Sequence, residues 1–402
     1  MTYDVLAARR QFPSLHRPSE HGRTPVYFDN PAGTQVVQDV IDRVTGYFLT
    51  SNANSGGTFE TSRRTDAMVE GVRAKVARFL GAPNPHEIAF GPNMTTLNFA
   101  LSRAIARTLK PGDEIILTRM DHDANVSPWL RIAADHGLVV RWVDLNVEDC
   151  TLNLDSFEAA LTDRTKVVCI VHASNAAGTI NPVAHIVAMA KAAGALTVVD
   201  AVQSAPHIPI DVQALGCDFL LCSSYKFFGP HLGILWGHYD LLAELPVYKV
   251  RPSHDEPPHR WETGTGCYEL IAGLGGVMDY LDRMNGGRGP SPAPFVAYER
   301  ELTTALITML EHVPGVRIYG ITDANRAAER VPTVIFEMDG YSPEQVAAHL
   351  AAQDIYVWHG NYYAVEIMDR LGKPDGLVRV GLTHYNTTEE IDRLGVALRM
   401  LT

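Results

Sequence analysis

From about residue 62 the chain repeats one arrangement that restricts its fold severely: short β-branched runs separated by helical stretches. After a short strand at Glu87–Phe90, the runs are Glu114–Thr118, Leu138–Val143, Lys166–Val171, Leu196–Asp200, Phe219–Cys222 and Gly233–Gly237. Ser62–Leu80 brings Met68, Val72, Val76, Phe79 and Leu80 to one helical face. Asn93 can cap a helix that turns Leu97, Leu101, Ala104 and Ile105 inward, and Pro182–Gly194 reads as another helix. Strands alternating with helices predict an α/β fold with a mainly parallel sheet covered on both faces. Ligands of such sheets sit at the carboxyl ends of the strands.

The pattern changes toward the C-terminus. VRPSHDEPPHRWETGTG, residues 250–266, is proline-rich and reads as an exposed loop, and NGGRGPSPAP, residues 285–294, as a hinge. A helix over Phe295–His312, a strand over Val331–Phe336, a helix from Pro343, a strand over Ile355–Trp358 and a closing helix from Thr388 suggest a smaller α+β domain. The expected division is an N-terminal segment (1–25) packing on the small domain, a large domain (26–285) and a small C-terminal domain (286–402).

A formal net charge of −12 argues against a nucleic-acid or anionic-membrane binder, because phosphate binding is driven by clustered Lys and Arg. Cys150, Cys169, Cys217, Cys222 and Cys267 form no C-x-x-C pair and no Cys/His metal spacing, so reduced thiols and no metal site are expected. The opening MTYDVLAARRQFPSL is polar, without a signal peptide's apolar centre, and no run approaches the roughly 18 apolar residues of a membrane span. A soluble, cytoplasmic protein is expected.

Chemistry concentrates in LTVVDAVQSAPHIPIDVQALGCDFLLCSSYKFFGPHLGILWG, residues 196–237. Asp200 ends a buried strand, where a sheet delivers a functional side chain. Lys226 lies between Tyr225 and Phe227-Phe228, and a lysine in apolar surroundings loses its proton more readily and becomes a nucleophile. Taken alone, a lysine beside a turn is ordinarily a surface residue; here the aromatic and glycine-rich context is more specific.

In these motifs, and from YFDNPAGT at 27–34 to VRVGLTHYNTTEEIDRL at 378–394, the chain resembles the class V aminotransferase-like family, in particular group II cysteine desulfurases and selenocysteine lyases. The resemblance implies a pyridoxal 5′-phosphate-dependent transferase of fold type I, with a mainly parallel seven-stranded sheet in the large domain. It implies that Lys226 holds the cofactor as a Schiff base, that Asp200 pairs with the pyridine nitrogen, and that Gln203 bonds the phenolic oxygen. His122, in RMDHDANVSPW, is similar to the histidine stacked on the ring, and Asn175, in HASNAAGTINP, to an asparagine that contacts cofactor and substrate. The phosphate would be held by Asn93, Met94 and Thr95 of GPNMTTLNF, by Ser223 and by the Tyr225 hydroxyl. Thr265, in WETGTG, resembles a threonine that reaches the neighbouring subunit's phosphate, which implies a homodimer with shared active sites. Arg379 looks like the clamp for the substrate carboxylate. Asn30, Ala32, His359, Asn361, Tyr362 and Tyr363 are further candidates for the substrate pocket.

The match departs from the family at one chemically decisive place. Desulfurases of this kind carry a persulfide on a mobile-loop cysteine, whereas Tyr363 stands at the aligned position in VWHGNYYAVEIM and no cysteine follows Cys267. Tyr225 and Asp123 also replace histidines. Cα proton abstraction followed by β-elimination, a C–S lyase reaction without a loop persulfide, is the expected chemistry. An aminotransferase, an amino-acid epimerase, a sulfur role for Cys267 and a catalytically silent cofactor-binding scaffold remain as alternatives.

Overall fold

The computed structural model describes residues 3–402. Its principal sheet has seven strands: β1 (Ile88–Gly91), β2 (Glu114–Thr118), β3 (Val139–Val143), β4 (Thr165–Val171), β5 (Leu196–Asp200), β6 (Phe219–Ser223) and β7 (Gly233–Gly237). Their spatial order is β1-β7-β6-β5-β4-β2-β3. Only β7 runs antiparallel to its neighbours, and all the other adjacent pairs are parallel. The exception has a local cause: residues 224–232 are too few to form the crossover that a parallel return requires.

Both faces of this sheet are buried, and the two-residue period of a strand divides its side chains between two cores. Ile115, Leu117, Val167 and Val198 join one core; Ile116, Val168, Ile170 and Val199 join the other. Two helices, α3 (Met94–Ala106) and α4 (Ser127–His136), cover the first face. The other is covered chiefly by α2 (Glu60–Leu80), α5 (Val183–Ala192) and α6 (Tyr268–Met284), with α1 (Gln38–Thr50) packed on α6.

A second, wholly antiparallel sheet comprises β8 (Val316–Tyr319), β9 (Thr333–Met338), β10 (Trp358–Gly360) and β11 (Leu377–Gly381), in the order β8-β9-β11-β10. With α7 (Val296–Glu311), α8 (Pro343–Ala351) and α9 (Thr388–Arg399) it builds a third core around Leu306, Phe336 and Val380. The N-terminal segment attaches here. Val26–Tyr27 pairs in parallel with Ile355–Tyr356, Arg23 Nε donates to Asp354 at 2.6 Å, and Arg9 lies 2.8 Å from Glu390.

Most expected elements appear within a residue or two of their anticipated ends, the range over which helix and strand ends fray. Two expectations need correction. The single strand at Ile355–Trp358 is two strands, because Ile355–Tyr356 pairs with the N-terminal segment and Trp358–Gly360 with β11. The 250–266 stretch is not simply exposed. Pro257, Pro258 and Trp261 are buried, Trp261 Nε1 donates to the Leu242 carbonyl at 2.9 Å, and Glu262 meets the wholly buried Arg73 at 2.8 Å. Among the described residues no helix is long and apolar enough to cross a membrane.

Candidate active site

The order of the sheet reverses between β2 and β4. From β2 the chain moves outward to β3, returns past β2 to β4, and then runs the other way through β5 to β6. The helices that follow β2 and β4 therefore diverge to opposite faces, opening a crevice at the strands' carboxyl ends. A cavity of about 660 Å³ lies there, and Lys226, Asp200, His122, Gln203, Asn175 and Arg379 all line it.

Lys226 closes a single 3-10 turn, Ser224–Lys226, directly after β6. Its Nζ donates to the carbonyls of Pro31 at 2.5 Å and Ala32 at 3.0 Å. Burial, helped by the positive charge of Arg379, lowers its pKa to about 7 against the opposing pull of Asp200 and Asp29. Gln203 Nε2 donates to the same Pro31 carbonyl at 2.8 Å. Asp200, the last residue of β5, accepts from the Val202 amide at 2.8 Å. Burial raises its carboxyl to about 6, which that amide and Lys226 partly counter.

His122 follows β2, and its Nδ1 accepts the Ala124 amide at 2.9 Å. That bond assigns the remaining ring proton to Nε2. Burial, then the charges of Lys226 and Arg379, push the ring down to about 3, so it is neutral. The preceding residue, Asp121, is buried outside the cavity lining, and burial drives its carboxyl to about 8 despite bonds from Asn125 and Thr118.

At the other end of the cavity α3 begins. Asn93 caps it by accepting the Thr96 amide at 2.8 Å, and the Met94 amide donates to Ser223 Oγ at 2.9 Å. Asn93, Met94, Thr95 and Ser223 line the cavity together, as a helix N-terminus suited to an anion. This close approach requires Gly233: a Cβ there would lie 2.4 Å from the Asn93 carbonyl carbon.

Arg379 projects from β11 and is almost wholly buried, yet among the described residues no carboxylate pairs with it. Its Nη1 donates to the Asn175 carbonyl at 2.8 Å, its Nε has no partner, and its guanidinium carbon lies 4.3 Å from the centre of the Tyr362 ring. Burial lowers its pKa to about 10, which leaves it charged at neutral pH.

The remaining candidates divide. Ala32, Tyr225, Tyr362 and Tyr363 line the cavity, with the Tyr225 ring stacked on His231 at 4.8 Å and Tyr363 at the rim, 70% exposed. Asn30 does not. Its Nδ2 donates to Tyr27, Gly381 and Asn386, and its Oδ1 accepts from the Tyr385 hydroxyl, so it knots the N-terminal segment to the second sheet. His359 also lies outside, since strand alternation along β10 turns its neighbour Trp358 to the cavity instead. Asn361 is spent on the turn, accepting the Tyr363 amide at 3.1 Å. Thr265 lines a separate cavity of about 620 Å³, together with Cys267. Phe99, Ser127, Arg131 and Trp358 also line the principal cavity and carry no local sequence signal of that role.

The Aminotransferase class-V family model matches residues 26–394. A cysteine desulfurase of Synechococcus elongatus is 34% identical over 99% of this chain, which spans 64% of that relative's length. A probable cysteine desulfurase of Streptomyces coelicolor is 35% identical over 97% of this chain and 95% of its own. The apo cysteine desulfurase of Thermococcus onnurineus NA1 has the same fold, with a TM-score of 0.89 at 28% identity over 100% of this chain and 98% of that one. By sequence and by fold, the chain belongs to the class V aminotransferase family, among its cysteine desulfurase-like members, and is a pyridoxal-phosphate enzyme.

Proposed function

We propose that the protein is an α-amino-acid C–S lyase: a desulfurase-like enzyme that removes the Cα proton and expels a sulfur group from Cβ without storing it on a loop cysteine. The observation that carries the reading is Arg379, a buried cation in the cavity with no carboxylate of the described residues within ion-pair distance, Asp29 acting on it only from farther off. A buried charge without a partner is costly, and an amino-acid carboxylate supplies the missing charge in a geometry that the planar guanidinium matches.

The residues present fit pyridoxal phosphate. Lys226 offers an amine that begins to be free near pH 7, Asp200 a buried carboxylate, and His122 a flat neutral ring. The start of α3 with Ser223 offers amide and hydroxyl groups for a phosphate. When bound, the cofactor supplies an electron sink for the pair left at Cα. Asp200 would hold the ring nitrogen's proton, and Gln203 would orient the ring from its edge. Lys226 would take the Cα proton, since its amine lies among the groups that line the substrate space. His122 would donate from Nε2 toward the cavity. With Tyr363 at the rim and no cysteine after Cys267, sulfur would leave as a free thiol or sulfide, and hydrolysis of the remainder would give ammonia and an α-keto acid.

We also infer a homodimer in which Thr265 serves the partner's cofactor. Its supporting observation is that Thr265 lies on a cavity other than that of its own Lys226.

Product analysis tests the lyase reading. Holoenzyme given cysteine, cystine, cysteine sulfinate, alanine or aspartate is expected to release keto acid and the Cβ group from a sulfur substrate, and Lys226→Ala to release neither. A strict requirement for an amino acceptor would instead identify an aminotransferase. Loss of Cα deuterium without consumption would identify an epimerase. Persulfide on Cys267 would overturn the carrier-free reaction.

A further inference from the structure

Three residues from distant parts of the chain form a closed ring of contacts around the unpaired arginine. Arg379 Nη1 donates to the backbone carbonyl of Asn175 at 2.8 Å. Asn175 Nδ2 donates to the backbone carbonyl of Tyr362 at 3.0 Å. The face of the Tyr362 ring lies 4.3 Å from the guanidinium carbon of Arg379. The Tyr362 hydroxyl is itself bonded to the carbonyl of Leu377, two residues before Arg379 on β11. Tyr362 is 5% exposed, and it and Tyr363 adopt φ of +56°, a left-handed conformation that non-glycine residues rarely hold. The Tyr363 carbonyl accepts the Asp123 amide at 2.7 Å, so the turn is pinned from both sides of the cavity.

The choice of an aromatic partner has a chemical consequence. A carboxylate beside Arg379 would occupy the in-plane N–H groups of the guanidinium fork. A ring face attracts the cation from above its plane and leaves the edge donors available. Nε does lack a partner.

We propose that Tyr362 is a positioning residue for substrate selection: its ring fixes the guanidinium plane of Arg379 with the fork open, and thereby makes the α-carboxylate a required feature of the substrate. This inference rests on the reading of Arg379 as the carboxylate clamp. It predicts a penalty confined to ligands that bear a carboxylate. Loss of a desolvated cation–π contact corresponds to about thirtyfold in affinity.

The test compares holoenzyme variants with L-cysteine and L-alanine on one side, and with cysteamine and ethylamine, which lack the carboxylate, on the other. Dissociation constants come from the absorbance change of the bound cofactor, and KM and kcat are measured where turnover occurs. Tyr362→Leu is expected to raise Kd and KM for the amino acids about thirtyfold, with a much smaller change in kcat and none in the Kd of the amines. Tyr362→Phe, which keeps the ring, is expected to restore most of the preference. Phenylalanine analogues of increasing fluorination at position 362 keep the shape of the ring and are expected to weaken amino-acid binding stepwise, which covers the case in which the leucine variant misfolds. Equal loss for amino acids and amines, an effect on kcat alone, or no response to fluorination would overturn the inference. Arg379→Met is run in parallel. If it leaves amino-acid binding unchanged, the clamp reading itself fails; if it weakens binding while the Tyr362 series does nothing, only the role of Tyr362 falls.

Discussion

An amine kept from water beside a guanidinium surrenders its proton early, and Lys226 combines both conditions. Its value of about 7 lies below the ordinary 10.5, so the amine is free above about pH 7 and charged below it. Labelling of cofactor-free protein with an amine-directed reagent is expected to reach half its maximum at Lys226 near pH 7; a midpoint near 10 would contradict the buried setting. His122, neutral down to about 3, is expected to act at constant charge across the working range. His122→Phe keeps a flat ring and loses the Nε2 proton. It should retain cofactor and lose on the order of a hundredfold or more in kcat, whereas loss of the bound cofactor's absorbance instead would assign the ring a purely structural part. Lys226 and Asp200 were legible in the sequence because their constraints are local: a strand end, and an aromatic and glycine-rich turn. Asn30 and His359 were misread because orientation is not local. Asn30 is held by Tyr385, 355 positions away, and His359 by the phase of a strand that only pairing with β11 defines.

Elements carry the next level of the account, and the junction of α3 with β7 is one of the tight approaches that shape the cavity. Gly233→Ala would drive a methyl into the Asn93 backbone and displace the helix start that faces the phosphate end. It is expected to cost about 1–3 kcal/mol of stability and to weaken cofactor binding more than substrate binding, read by denaturant unfolding and cofactor titration. Unchanged cofactor affinity would remove that helix start from the binding site. The main sheet was readable because strands buried on both faces consist of uninterrupted apolar, β-branched runs. The 250–266 stretch was not, because prolines and charges locally look like a surface loop. Its burial depends on Trp261 entering the core that Ile115 and Leu117 share with α3 and α4, and on Glu262 meeting Arg73, 189 positions away. Glu262→Gln leaves the buried Arg73 with only the half-exposed Glu70, 3.2 Å away, as its charged partner, and a loss of about 1–3 kcal/mol is expected in equilibrium unfolding; no measurable loss would show the Glu262 pair to be unimportant.

On the scale of the whole molecule, the site draws on both sheets. Lys226, Asp200 and His122 come from the large sheet's strand ends, and Arg379 and Tyr362 from the smaller sheet and its adjoining turn. A dimer would add Thr265 from outside. In the homodimer proposed above, mixing Lys226→Ala chains with Thr265→Ala chains forms hybrids with one intact site, so activity should rise above that of either variant alone. No gain in refolded mixtures would place Thr265 outside the partner's site. The α/β class with a mainly parallel sheet was legible from alternation, but the strand order and the assignment of each cavity to one chain or two were not, because a sequence does not show which elements or surfaces face each other. Everything depends on Lys226 being the attachment point of the cofactor, and mass spectrometry tests this directly. Protein incubated with pyridoxal phosphate, reduced with borohydride and digested is expected to carry the reduced pyridoxyl-phosphate mass on the peptide containing Lys226 and on no other. An unmodified Lys226 in a protein that remains colourless with the cofactor would contradict the account.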